Sequence, residues 1–250
     1  MSLPSFFRHG LENFIGHFGY DLKIRGEPLR GPHDFFSWLK SIGFEPGTVI
    51  DVGVGPGTPW LYEAFPEAHF VLIEPNADFI PAMEDICTRY RGEYHIFAAG
   101  GEQSTGTLFI NRNFTTSSGL YQIDNSFRSK QEARGIVRDE VQREVPIRPL
   151  DSALDKDWKK PFIVKLDVEG FETEALKGAG DILHHTDILI AEMSVVRRLK
   201  EEASFADFIA FLDNLGWIFF DIIDISQMGH GRLAYIDGVF VKKGSELSKV

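Results

Sequence analysis

VIDVGVGPGTPW, residues 49–60, runs from a short apolar stretch through Asp51 to glycines at 53, 55 and 57, and then to Thr58 and Pro59. The apolar stretch predicts a strand. The glycines predict a sharp turn that lets backbone approach a ligand closely, and Pro59 suits the first position of a helix, where its missing N–H costs nothing. Strand, glycine turn and helix in that order predict a nucleotide at the turn. The dinucleotide fingerprint G-x-G-x-x-G/A is not met, because Thr58 stands where the third small residue belongs; the pattern is acid-x-G-x-G-x-G. An acid at the strand end, Asp51, repels a pyrophosphate but tolerates the cationic methionyl end of S-adenosylmethionine. No GK[ST] follows, which excludes a P-loop.

Outward from this unit, short aliphatic runs alternate with helical patterns, as in a parallel sheet covered on both faces. Strands are predicted at 48–52, 69–74, 93–98, 162–167, 187–193, 217–225 and 233–242. Helices are predicted at 59–65, 78–91, 171–177 and 205–215, the last with Phe205, Phe208, Ile209 and Leu212 on one face. Residues 1–46, with LENFIGHF and HDFFSWLKSIGF, are expected to form a helical cap on a domain spanning 47–250. Residues 104–150 are polar and form an insertion, with short strands predicted at 106–111 and 141–147.

Two further motifs carry chemistry. Glu74 ends HFVLIEPN about twenty residues beyond the glycines, where a carboxylate can accept hydrogen bonds from both ribose hydroxyls. PFIVKLDVEGFETEALKGA places Asp167 and Glu169 two apart at a strand end. If the strand persists to Glu169, both carboxylates share a face near the glycine loop. Glu172 and Glu174 fall in the first turn of the following helix and are explained by its dipole.

VIDVGVGPGT, LIEPN, VKLDVEGFETEALKGA and DILIAEM together resemble the FkbM-type family of S-adenosylmethionine-dependent methyltransferases over roughly residues 47–195. The resemblance implies a class I methyltransferase fold: a Rossmann-like α/β sheet of seven strands, the last antiparallel. It also implies methylation of an oxygen on a sugar or small metabolite. Carried over, Asp51, Val52, Gly53, Gly55, Gly57 and Thr58 would surround the methionine moiety, and Glu74 the ribose. Pro75, Asn76, Ala98 and Ala99 would lie along the adenosine, and Asp167 and Glu169 would face the methyl and the acceptor. Pro56 and Pro59 depart from the usual pattern, and acceptor identity does not carry over.

Histidines sort by the end of the sheet they occupy, since ligands bind outside the carboxyl ends of parallel strands. His69, His95, His184 and His185 are expected at the wrong end. His230, in SQMGHGR, falls at the right end as a third catalytic candidate, and His33 reaches the site only if the N-terminal helices cap it. Asp167 and Glu169 with Glu192 could also supply oxygens to a divalent cation, but no tighter acidic cluster accompanies them and no metal is expected.

In the insertion, NFTTSSGLYQID offers Ser118 and Tyr121 for a polar ring, with Glu192 as a further acceptor contact. Residues 126–148 carry six Arg/Lys and four Asp/Glu, and the segment reads as a lid whose Arg128, Lys130 or Arg134 meets an anion.

The 250 residues are 43% hydrophobic and 25% charged, which suits one folded domain; 26 Lys+Arg against 37 Asp+Glu, a net charge of −11, argues against a nucleic-acid partner. Cys87 has no disulfide partner in the chain. No run reads as a signal peptide or membrane span, so a cytoplasmic location is expected. The sequence thus predicts an O-methyltransferase acting on a hydroxyl of a small metabolite or glycan. An NAD-type oxidoreductase and a non-catalytic relative of the fold are the alternatives, and nothing in the sequence sets an oligomeric state.

Overall fold

The computed structural model describes residues 11, 14, 15, 17, 31–113, 115–153, 157–228 and 231–249. In chain order these form α1 (Pro32–Ser41), β1 (Thr48–Val52), α2 (Pro59–Ala64), β2 (His69–Ile73), α3 (Ile80–Arg89), β3 (Gly92–His95), β4 (Ala98–Ala99) and β5 (Ser104–Asn111). There follow α4 (Asn125–Glu132), β6 (Glu140–Arg148), α5 (Leu150–Ala153), β7 (Phe162–Leu166), α6 (Glu172–Lys177), α7 (Gly180–His184), β8 (Thr186–Ser194), α8 (Phe205–Asn214), β9 (Trp217–Met228) and β10 (Arg232–Lys242).

Seven strands make one sheet in the order β3-β2-β1-β7-β8-β10-β9. The pairs β1/β2, β2/β3, β1/β7 and β7/β8 are parallel, and β10 runs antiparallel to both its neighbours. This is the expected class I methyltransferase sheet with its reversed last strand. Both β1 and β7 are buried at every position, as strands covered on both faces must be. Alternate residues feed two cores. Ile50, Val52, Val164 and Leu166 face the core that holds α6 and α8; Val49 and Ile163 face the one that holds α1, α2 and α3. In α8, Phe208 and Leu212 are buried, with Phe205 and Ile209 packed beside them, as the spacing predicted.

Three expectations are corrected in detail. The predicted strand 93–98 divides: β3 keeps the edge of the main sheet, and Ala98–Ala99 leaves to pair with Ile147 and Arg148 in a separate sheet of order β4-β6-β5. The small residues there allow the approach, since a Cβ on Gly100 would lie 2.4 Å from Ile147 Cγ2. The predicted helix 78–91 opens as a 3-10 turn, Ala77–Phe79, capped by Asn76, and becomes α-helical only at Ile80–Arg89, with proline in its first turn. The strand before Glu169 ends at Leu166.

The insertion strands form as an antiparallel β5/β6 pair, with α4 between them capped by Asp124. Of the N-terminal segment, α1 seats Phe35, Phe36 and Leu39 in the core beside α2 and Phe220. It contributes no residue to the clefts described below. Half of LENFIGHF lies outside the described residues, and so does His230. Among the described residues no helix is long and apolar enough to cross a membrane.

Candidate active site

At the carboxyl ends of β1, β2 and β7 a cleft of about 340 Å³ opens. Its size suits a nucleoside-sized ligand. Val52, Gly53, Gly55, Gly57 and Thr58 form one wall, Glu74, Pro75, Ala98 and Ala99 another. Gly53 has φ +81°, and a Cβ there would stand 1.8 Å from the Asp167 carbonyl oxygen, so glycine lets the β1 turn pass directly over the exit of β7. A Cβ on Gly55 would meet nothing within 4 Å, because this turn borders open cleft.

Glu74 is buried, and both its oxygens are held by backbone. It accepts from Gly55 N at 2.9 Å and Asn76 N at 2.8 Å. Burial pushes its carboxyl pKa up, against these two bonds, and Asp51 and Asp167 add to the rise. The carboxylate is therefore fixed at the cleft wall with lone pairs to spare for hydroxyl donors.

Two expected cofactor residues stand back from the wall. Asp51 is fully buried: Tyr62 donates to it at 2.6 Å, and the Lys165 ammonium lies 3.5 Å away. Strand register explains this, since Asp51 and Lys165 are direct partners across β1 and β7 and share the face toward α2. Asn76 is also buried, accepting from Asp78 N and from Arg143 at 2.8 Å.

Asp167 and Glu169 do come together at the cleft, by a route other than a continued strand. Glu169 has φ +51° and Gly170 +88°, and this left-handed pair turns the backbone. A non-glycine residue held there costs roughly 1–2 kcal/mol, and such strain concentrates at functional sites. Asp167 receives a hydrogen bond from Lys165 at 3.3 Å.

Lys165, Asp237, Asp224 and Tyr235 line the same cleft and escaped the sequence reading. Their signal was a single charge inside an otherwise apolar strand, as in FIVKLD and YIDGVFV. Its meaning needs the register that sets Asp237 opposite both Glu192 and Asp224. Burial opposes the charge on Lys165, but Asp167, Asp51 and Asp237 outweigh it and hold its pKa above the usual lysine range. Burial and Asp167 push Asp237 up to about 6, against Lys165.

Glu192 lines the cleft too, but Arg198 holds it at 2.5 Å and lies 3.5 Å from Glu169. A guanidinium thus occupies the place between these carboxylates where a divalent cation would need to sit. Among the described residues no cluster of three or more His, Cys, Asp or Glu is arranged to hold a metal. Burial, tempered by Arg198 and reinforced by Asp167, pushes Glu169 up to about 7. Glu192 is also raised well above the carboxylate range by burial, Asp167 and Glu169.

Ser118 lines this cleft, whereas Tyr121 lines a second one of about 260 Å³. Gly119, Glu169 and Tyr235 belong to both, so the two clefts adjoin at Glu169. The expected cations of the lid are elsewhere: Arg128 pairs with Glu140 at 3.3 Å, and Lys130 and Arg134 are exposed. His69 begins β2 as expected, but His95 ends β3 at the carboxyl edge. Its ring there meets Glu93 at 3.3 Å, outside both clefts. His33, on α1, lines neither.

Compared with protein families, residues 51–219 match the methyltransferase FkbM domain. The chain belongs to the FkbM methyltransferase family. This family uses S-adenosylmethionine, the cofactor expected from the glycine loop. The hexuronic acid methyltransferase AglP of Haloferax volcanii is 27% identical over 167 residues, which cover 66% of this chain and 63% of that protein. The chain therefore spans less than two thirds of that relative's length.

Similar solved structures include the 1,6-didemethyltoxoflavin-N1-methyltransferase of Burkholderia thailandensis, 12% identical, covering 97% of this chain and 92% of that one, TM-score 0.44. The magnesium protoporphyrin IX methyltransferase of Synechocystis PCC 6803 is also 12% identical, covering 97% and 86%, TM-score 0.44.

The cleft's donor set fits the family's cofactor. A glycine turn with open space above it, a fixed carboxylate at Glu74 and small residues at Ala98 and Ala99 would hold methionine, ribose and adenine in that order.

Proposed function

We propose that this FkbM-family chain is an S-adenosylmethionine-dependent O-methyltransferase that methylates a hydroxyl of a sugar, glycan or small metabolite. The observation that carries the reading is the adjoining of two clefts at Glu169: a glycine-walled one suited to the donor, and one of mixed polar and aromatic lining suited to an acceptor. The name of AglP, a hexuronic acid methyltransferase, supports a sugar-like acceptor.

Bound S-adenosylmethionine supplies an electrophilic methyl on a sulfonium. The chain's residues do the rest. Gly53, Gly55, Thr58 and Glu74 orient the donor, and the acidic row of Asp51, Asp167 and Asp237, partly balanced by Lys165, favours a cation at the cleft floor. The second cleft brings the acceptor oxygen to Glu169, and holding the two reactants in line provides most of the acceleration. Held by those residues, the donor would give its methyl to that oxygen and keep the carbon–sulfur electron pair as a neutral thioether. Glu169 takes the hydroxyl proton, and a carboxylate titrating near 7 suits that work at neutral pH. Asp167 accepts from Lys165, and Glu172 holds the turn that carries Glu169 by accepting from Val168 N and Gly170 N.

Transfer of labelled methyl to hexose- and hexuronate-containing acceptors tests this. Glu169→Gln is expected to lose about 10²–10⁴-fold in turnover while binding S-adenosylhomocysteine as the parent does. Full turnover in that variant would remove Glu169 as the base.

A further inference from the structure

After α4 the chain runs through an irregular segment, and Arg138 in it lies on the wall of the second cleft. The charges around that cleft otherwise pair off. Arg128 is held by Glu140, and Arg198 by Glu169 and Glu192. Arg138 keeps only two long bonds, from Nη1 to Gln131 Oε1 at 3.4 Å and from Nη2 to the Ser117 carbonyl at 3.5 Å. Its Nε is buried without an acceptor, and no carboxylate among the described residues lies within ion-pairing distance of it. Buried donors normally find partners, and a half-buried guanidinium left short of them is stabilised by any acceptor that reaches its fork.

We infer that Arg138 binds a carboxylate on the acceptor, so that the second cleft selects a monoanionic sugar or similar acid. This rests on the acceptor reading above. The planar fork, whose two Nη groups are held only by these long bonds at the cleft wall, matches a carboxylate's two oxygens. Charge favours a carboxylate over a phosphate, because one unpaired cation balances one negative charge, whereas a phosphomonoester carries about −1.5 to −2 and faces Glu140 and Glu169 nearby. Tyr121 and Phe127 on the same cleft give an apolar surface for a ring beside that anchor.

The test is ligand-detected NMR titration of the full chain with glucuronate, glucose and glucose 6-phosphate, with S-adenosylhomocysteine titrated in parallel. The parent is expected to bind glucuronate at least tenfold more tightly than glucose or glucose 6-phosphate. Arg138→Gln is expected to lose that margin, Arg138→Lys to keep part of it, and both to bind S-adenosylhomocysteine unchanged. The inference is overturned if the parent binds glucuronate no better than glucose or not at all, if it prefers glucose 6-phosphate, or if Arg138→Gln keeps the margin. Failure of S-adenosylhomocysteine to bind would instead strike the proposed function. The comparison of glucuronate with glucose in the parent needs no variant to fold.

Discussion

Replacing Lys165 with Met would remove the ammonium that faces Asp51. The Asp51 side chain is fully buried; its Oδ2 takes the Tyr62 hydroxyl, while its Oδ1 has no hydrogen-bond partner and only the ammonium 3.5 Å away. Without Lys165 the core holds a carboxylate stabilised by a single hydrogen bond, with Asp167 and Asp237 close by. Removing one partner of such a pair costs roughly 3–5 kcal/mol, a large part of an ordinary domain's stability of about 5–15 kcal/mol. For a chain of this size each kcal/mol lowers Tm by about 2–4 °C, so the fall should be roughly 6–20 °C. Thermal unfolding followed by circular dichroism measures that fall, and urea unfolding gives the free energy itself. Adding Asp51→Asn should restore part of the loss, with a coupling of about 0.5–3 kcal/mol. A Lys165→Met unfolding free energy within about 0.5 kcal/mol of the parent's, or no recovery in the double variant, would refute the view that this pair anchors the floor of the cleft.

Three other outcomes follow from the same structure. Gly53→Ala puts a Cβ 1.8 Å from the Asp167 carbonyl at a φ of +81°, so β1 and β7 must separate; calorimetry should show S-adenosylhomocysteine binding lost or at least tenfold weaker. Burial raises Glu172 to about 8, so between the ordinary glutamate range and that value the folded state binds more protons than the unfolded one. Stability should therefore fall as pH rises from about 5 to 8, by up to about 1.4 kcal/mol per pH unit for one such proton. Glu172→Gln, which keeps an acceptor for Val168 N and Gly170 N, should flatten the thermal-shift profile across that range. Turnover should climb through pH 7 as Glu169 deprotonates, and the rise should vanish in Glu169→Gln.

The fold was largely legible because the central strands β1, β2 and β7 are short, largely apolar runs followed by glycine or an acid. The glycine loop and Glu74 could be read from spacing alone, since a strand–turn–helix unit fixes where they fall. Asp51, Lys165 and Asp237 could not, because their meaning depends on which strands lie side by side: a buried triad needs the β1/β7 register and the reversal of β10. Glu169 reached the cleft through a left-handed backbone that strand alternation does not anticipate. Arg138 was hidden among six other basic residues of the insertion, and only folding showed which of them lies on the wall of the second cleft.

The central claim, that the glycine-walled cleft binds the sulfur nucleoside, is tested most directly by calorimetric titration of S-adenosylhomocysteine into the parent and into Glu74→Gln, with NAD as the control. The account predicts one-site binding of S-adenosylhomocysteine, at least tenfold weakening in Glu74→Gln, and no heat from NAD. Binding of NAD, or S-adenosylhomocysteine bound equally by both proteins, would contradict it.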